Sequence, residues 1–281
     1  VLAPVDGKDV FCEWPLTTTT QQSLELLAAA EAVGIRHLIG LQRRLAPGFR
    51  YLRDLLLSGY AGKVRSVRLS VTEPACYLRR SREVAFTIPS ENFTHVAVTF
   101  GGHFMDALFT AVGWPQEFSA ILLNQFTHIT IAETDEVIAS DAPNELILSG
   151  ILPGNVALTL HVEGGKRNGF GMQLDITGTE GDLRMSNSAA FHNREDNRIE
   201  GAQGEGRPLE PMPVPAEYHW LPASGMPASA LELANVYTGW LADRNDGGTR
   251  TPTFADAVRL HRLLDLIASS STTGQRVKWE P

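Results

Sequence analysis

The sequence predicts an α+β protein: one large, mainly antiparallel sheet with helices on one face, plus a short βαβ unit. Three observations carry that expectation. Strand patterns follow one another through residues 118–186 with no helix between them, a single strand–helix–strand pattern occupies 9–41, and helical patterns with broad apolar faces lie at 91–112 and 254–269. Successive strands without crossover helices pair antiparallel, whereas a strand–helix–strand crossover returns the chain parallel.

Taken in order, residues 9–14 read as a buried strand. Thr18 or Thr19 with Gln21 or Gln22 forms a capping box for the helix that follows. Leu24, Leu27, Ala28 and Ala32 share one face of it, Gly34 ends it, and Ile35–Leu41 is the second strand. Pro47 suits the first turn of another helix, with Phe49, Leu52 and Leu56 inward and Ser58-Gly59 as its stop. Val67, Leu69 and Val71 alternate with Arg68, Ser70 and Thr72, a half-buried strand. A helix of about 20 residues is expected over 91–112. Strands are expected at 118–134, 145–151, 155–163, 172–177 and 182–186; the cleanest sets Val156, Leu158, Leu160 and Val162 against Thr159, His161 and Glu163. Residues 193–217 have no hydrophobic period and are rich in glycine, proline and charge, which reads as a long loop. The closing helix, 254–269, carries Phe254, Val258, Leu260, Leu264 and Ile267. No internal repeat is present. The expected division is 1–47, holding the βαβ unit, and 48–281, the α+β domain.

Composition narrows the function. Apolar content of 43% and charged content of 20% are those of a soluble globular protein. A net charge of −8 argues against nucleic acid, which needs a basic face. Lys63, Arg65 and Arg68 read only as a solvated strand end. Cys12 and Cys76 make no metal or redox spacing, and Cys12 reads as a buried thiol. No apolar run approaches the ~18 residues of a membrane span, and no signal peptide is visible, so a cytoplasmic protein is expected. The sequon Asn92-Phe93-Thr94 therefore reads as chance. His-Glu-x-x-His, Cys-x-x-Cys and Gly-x-Ser-x-Gly are all lacking, so no metal and no serine-esterase chemistry is expected.

One segment outweighs the rest. Phe11-Cys12-Glu13-Trp14-Pro15, an apolar strand ending in Glu-x-Pro before a capped helix, resembles the strand bearing the Glu-Lys-Pro motif of the Gfo/Idh/MocA oxidoreductases. Gly40-Leu41-Gln42-Arg43-Arg44-Leu45-Ala46-Pro47 is similar to the following segment in the branch that holds the fungal galactose-pathway repressor. Ser58 to Val64 resembles the entry to that family's substrate domain, Gly101-Gly102-His103-Phe104-Met105-Asp106 its helical histidine motif, and Gly178 to Leu183 a strand turn. Phe254 to Ser269 resembles its closing helix. The resemblance implies the family's substrate-domain fold and makes the first βαβ the residue of a truncated Rossmann domain.

Three departures bear on chemistry. No Gly-x-Gly-x-x-Gly opens a helix after a strand; Gly201 to Gly206 is glycine-rich but lies in the expected loop. Trp14 stands where the family has its catalytic lysine, and an indole N–H does not titrate. Thr99 stands where family dehydrogenases often carry an aspartate. A general acid or base is worth about 10²–10⁴-fold, so ordinary hydride chemistry is not expected.

The expected catalytic pair is His103 and Asp106, at i and i+3 of one helix, with the carboxylate orienting an imidazole that titrates near neutrality; the alternative is a packing histidine beside an acid. Trp14 is the expected stacking surface, with plain core as its alternative. Gln42 and Arg44 follow a parallel strand's carboxyl end, where α/β ligands bind, although Arg44 equally suits a structural ion pair. Tyr77, Asn92 and Thr99 complete the substrate-binding set, with His95 and His161 weaker; His261 reads as a satisfied core residue.

Three functions fit. The first is a cofactor-free cyclase, isomerase or lyase of biosynthesis, taking an apolar small molecule in the former nicotinamide–substrate cleft. The second is an NAD(P)-dependent oxidoreductase whose nucleotide-binding half lies outside this chain. The third is a non-catalytic, ligand-sensing regulator. A homodimer through the open sheet face is expected in each, with neither nucleic acid nor membrane as partner.

Overall fold

A computed structural model describes residues 8–73, 78–169, 171–190 and 195–280. The chain opens with β1 (Val10–Glu13), α1 (Thr20–Ala32) and β2 (His37–Gly40), followed by a 3-10 turn at Gln42–Leu45 and α2 (Pro47–Leu57). Thr19 caps α1 by accepting from Gln22 N at 3.2 Å, so the threonine run starts the helix. β1 and β2 pair parallel, Val10 with His37 through Glu13 with Gly40. The inward face of α1 is Ser23, Leu26, Leu27 and Ala30 rather than the expected Leu24, Ala28 and Ala32 side. The helix is turned to pack on the closing helix, where Thr20 Oγ1 donates to Asp265.

The main sheet has nine strands. They are β3 (Val64–Thr72), β5 (Glu117–Leu123), β8 (Glu145–Leu152), β9 (Val156–Glu163), β10 (Gly171–Gly178), β11 (Gly181–Asn187), β12 (Arg198–Gln203), β13 (Glu210–Pro211) and β14 (Val277–Lys278). Their order across the sheet is β13-β12-β11-β10-β3-β9-β8-β5-β14. Every pair is antiparallel except β3 with β9, which makes the sheet mixed. A separate three-stranded sheet joins β4 (Arg79–Arg80), β6 (His128–Ile131) and β7 (Val137–Ala139). α3 (Val96–Val112) and α5 (Phe254–Thr273) cover one face of the main sheet, and their side chains share one core with the inward residues of β3, β8, β9 and β10. α4 (Ala228–Asp246) packs on the 3-10 turn after β2.

Several expectations need correction. The βαβ unit stands apart from the main sheet: β1 and β2 form their own two-stranded sheet, tied in through α1 and α5. The single strand expected at 118–134 is two strands in different sheets, because side chains take the backbone groups that a ladder would use. Gln125 N donates to Asn144 Oδ1 at 2.6 Å and Phe126 N to Asn124 Oδ1 at 3.1 Å. The loop expected at 193–217 contains β12 and β13, which extend the sheet from β11. The helix expected from residue 91 starts at Val96, after a 3-10 turn at Ser90–Asn92 and a left-handed Phe93. No helix among the described residues is long and apolar enough to cross a membrane.

Candidate functional site

β1 delivers Trp14 to the start of α3. Its indole Nε1 donates to Val98 O at 2.8 Å, and its ring meets His261 of α5 at 5.0 Å. The ring also presses on Gly102, where a Cβ would fall 2.4 Å from Nε1, so only glycine admits the indole against the helix. Trp14 is therefore a packed wall at the junction of β1, α3 and α5, with its one donor satisfied.

His103 follows Gly102 on α3 and is buried. Burial, aided by the Arg43 guanidinium, pushes its imidazole down to about 3. This corrects the expectation of a group that titrates near neutrality. Asp106 is fully buried and both its oxygens accept from Arg44, Nε to Oδ2 at 2.8 Å and Nη2 to Oδ1. Burial raises the Asp106 carboxyl while Arg44 pulls it down. The carboxylate is thus committed to Arg44 instead of orienting His103. Arg44 also reaches Asp256 Oδ1 at 3.1 Å, and Asp256 closes the capping box of α5 with Thr253. Arg44 is accordingly the structural ion-pair partner of its two expected roles: it pins the turn after β2 to α3 and α5.

The other expected residues divide. Gln42 is half-buried, and its Oε1 has no hydrogen-bond partner among the described residues. Thr99 Oγ1 bonds back to Thr94 O at 3.0 Å, and Asn92 Nδ2 donates to Phe86 O. Tyr77 lies outside the described residues, as do Cys76 and His192. His161 is on the open sheet face, held by Glu145, away from Trp14. His95 sits at the start of α3, pushed down to about 4 by burial. His261 is core as expected, but neither ring nitrogen finds a partner among the described residues, and burial lowers it to about 4.

A second polar cluster escaped the sequence reading. Arg43 is buried, pairs with Glu232 of α4 at 3.4 Å, donates to Ala190 O and lies over the Phe104 ring at 4.5 Å. Burial pushes Glu73, at the end of β3, up to about 7 against the pull of Arg43. Arg43 thus gathers Glu73, Glu232 and the neutral His103 behind the carboxyl ends of β2 and β3. No group of three or more His, Cys, Asp or Glu with metal-holding geometry occurs among the described residues.

A wide mixed sheet covered on one face, a small parallel βαβ unit, and a Glu-x-Pro strand end set against a helical histidine define a substrate domain of the Gfo/Idh/MocA oxidoreductase scaffold. Within that class the chain belongs to the Gal80p C-terminal-domain-like family, whose profile matches residues 47–187. It is 23% identical to the dehydrogenase aclE of Aspergillus oryzae over 96% of this chain and 71% of that protein. It is 25% identical to the galactose/lactose metabolism regulatory protein GAL80 of Saccharomyces cerevisiae over 66% of this chain, which spans 45% of the regulator's length. Among solved structures it resembles a super-repressor mutant of Gal80p from S. cerevisiae, with TM-score 0.82 and 20% identity over 96% of this chain and 72% of that one. It also resembles levoglucosan dehydrogenase in complex with NADH, with TM-score 0.80 and 17% identity over 97% and 73%.

Proposed function

We propose that the chain is the ligand-binding part of a non-oxidising, Gal80-like regulator built on an oxidoreductase scaffold. One observation supports the reading: Trp14, which the resemblance sets where the scaffold keeps its proton-transferring lysine, is packed on Gly102 and bonded to Val98. The neighbouring groups do not replace the lysine. His103 is held neutral, and Asp106 is spent on Arg44. The same two facts weigh against the cyclase, isomerase or lyase, which would need an acid or base there.

The second reading, an NAD(P)-dependent oxidoreductase completed by a nucleotide-binding half outside this chain, is favoured by the match to aclE along 96% of the chain. Incubating the full-length protein with NAD+ or NADP+ and a panel of sugars, anhydrosugars and inositols separates the two. No reduced dinucleotide above the blank is expected, and residues 1–281 alone should bind no dinucleotide tighter than about 1 mM, some −4 kcal/mol. Turnover with any member of the panel would replace the regulator by the oxidoreductase.

The reading also includes a homodimer through the sheet face opposite α3 and α5. Ile121, Leu123 and Ile147 are exposed there, at 50%, 41% and 39%. Light scattering at micromolar concentration should give twice the chain mass; a monomer mass removes the dimer from the proposal.

A further inference from the structure

The sequence closes α2 on three leucines and opens β3 just past Lys63. The C-terminal ends of α2 and α3 and the β8–β9 hairpin there frame a groove of about 340 Å³. Its lining runs from Leu152 and Val156, 0% and 6% exposed, through the half-buried Leu56 and Val112 to Leu57, which is 76% exposed. Pro153 at the hairpin tip packs on the end of α3, where a Cβ on Gly113 would lie 3.5 Å from two of its ring atoms. In the pairing of β3 with β10, Ser66 meets Thr177 and Val64 meets Gly178, so Arg65 is passed over. An apolar Val64, instead of that cation, therefore lines the groove.

A single exposed leucine needs no explanation. Leu57, however, continues an unbroken apolar lining that starts in the core, and the volume is that of a small-molecule site. Such sites are mostly apolar, with a few polar groups that orient the occupant. Lys63 is the one charged residue of the lining, and its ammonium makes no ion pair among the described residues. Capping a helix end does not account for it. Leu55 O already accepts from Tyr60 N at 3.0 Å, Leu56 O from Gly59 N at 3.1 Å, and Phe109 O from Gly113 N at 3.0 Å. Lys63 is thus a cation bordering an apolar groove, with no task in the fold that these bonds leave open.

We propose that this groove binds a free single-chain carboxylate, a fatty acid of about ten carbons, with its chain along the leucines and valines and its head on Lys63. The lining asks for no hydrogen bond from the chain, so only the head needs a polar partner. A lysine ammonium is a compact point charge, which suits one negative charge on a flexible stem. A dry cavity of about 150 Å³ takes a benzene ring, so a groove of this volume takes a chain of about ten carbons. Val112 lies ten residues beyond Gly102 on α3, about 15 Å along the helix. The groove is therefore separate from the Trp14 junction, and the inference stands under either reading of the function.

Calorimetry of the full chain with sodium decanoate tests it. Octanoate should bind about tenfold more weakly, since each buried methylene is worth about fourfold. Lys63→Gln should weaken decanoate about tenfold, and decyltrimethylammonium should bind wild type at least tenfold more weakly than decanoate does. Ala111→Phe, which fills the groove from α3, should abolish binding with the circular dichroism unchanged. No decanoate binding up to about 1 mM, or equal affinity for the cationic amphiphile, overturns the proposal. If Ala111→Phe does not fold, the methyl resonances of Leu57 and Val112 in wild type decide: they move on saturation with decanoate, and constancy overturns the proposal. Two other occupants would also overturn it. A mass in light scattering that halves in Ala111→Phe would make the groove a subunit contact. Sedimentation of wild type, but not of Ala111→Phe, with phosphatidylglycerol vesicles would make it a membrane contact.

Discussion

Arg44→Met is expected to destabilise the protein by about 3–5 kcal/mol, the usual cost of stripping one partner from a buried ion pair. The side chains are 11% exposed at Arg44 and 0% at Asp106, so removing the guanidinium leaves a buried carboxylate without its partner. Arg44 holds both oxygens of Asp106 on α3 and one of Asp256 on α5, so its loss also loosens the first turn of α5. Asp106→Asn should cost less, because the amide can still accept one bond from Arg44. Arg44→Met/Asp106→Leu should recover most of the loss, since apolar isosteres of a buried pair are often near neutral. Urea unfolding midpoints of the three variants measure this. A cost below about 1 kcal/mol for Arg44→Met would mean that the pair behaves as a surface bridge.

Where the sequence was legible, an apolar period carried the information. The alternation in β9 places Val156, Leu158, Leu160 and Val162 in the core, and α5 opens on the capping residue just before Phe254. α4 shows why other parts were not. Its buried positions include Glu232, Asn235, Gly239 and Asp243, a helical stripe with polar side chains, because it faces Arg43, Arg250 and Thr251. A hydrophobic period cannot reveal a helix whose inward face is charged. β12 offers Ile199 as its one large apolar side chain and buries Gly201 beside Met212 and Tyr60, so it read as loop.

The site followed the same rule. Trp14 and His103 were singled out because they stand in a motif, and the i, i+3 spacing placed His103 and Asp106 on one helix. Spacing says nothing of a third party, and the third party here is Arg44, from another element. The Arg43 cluster left no local trace, since its partner Glu232 lies 189 residues away. Two adjacent arginines after an apolar strand were the one available signal; the 3-10 turn sends them to different acids.

The stability of wild type relative to His261→Phe should change with pH, by about 1.4 kcal/mol per unit between about pH 6 and pH 4. Burial pushes the folded imidazole down from 6.5 to about 4. Above about pH 6.5 the ring is neutral in both folded and unfolded chains, so the stability is fully present. As the pH falls below 6.5 the unfolded chain takes up a proton that the folded chain refuses, and stability is lost until the folded group titrates near 4. At about pH 5 the variant should have gained roughly 2 kcal/mol on wild type compared with pH 7, about 1.5 pH units of differential protonation. His103, pushed down to about 3, should behave alike over a wider window. Glu73 works the other way. Its folded value of about 7 lies above the ordinary 4.5, so the folded chain binds that proton more tightly. Its contribution is present below 4.5 and lost as pH rises through 7, which offsets one histidine in wild type over the middle of the range. That cancellation is why the difference between variant and wild type, rather than the wild-type curve, reads the histidine. Urea midpoints at four pH values from 7 to 4 suffice, with Glu73→Gln as the control of opposite sign. Parallel curves for wild type and His261→Phe would mean that the folded imidazole accepts its proton as freely as in the unfolded chain, and so is not shut in the core.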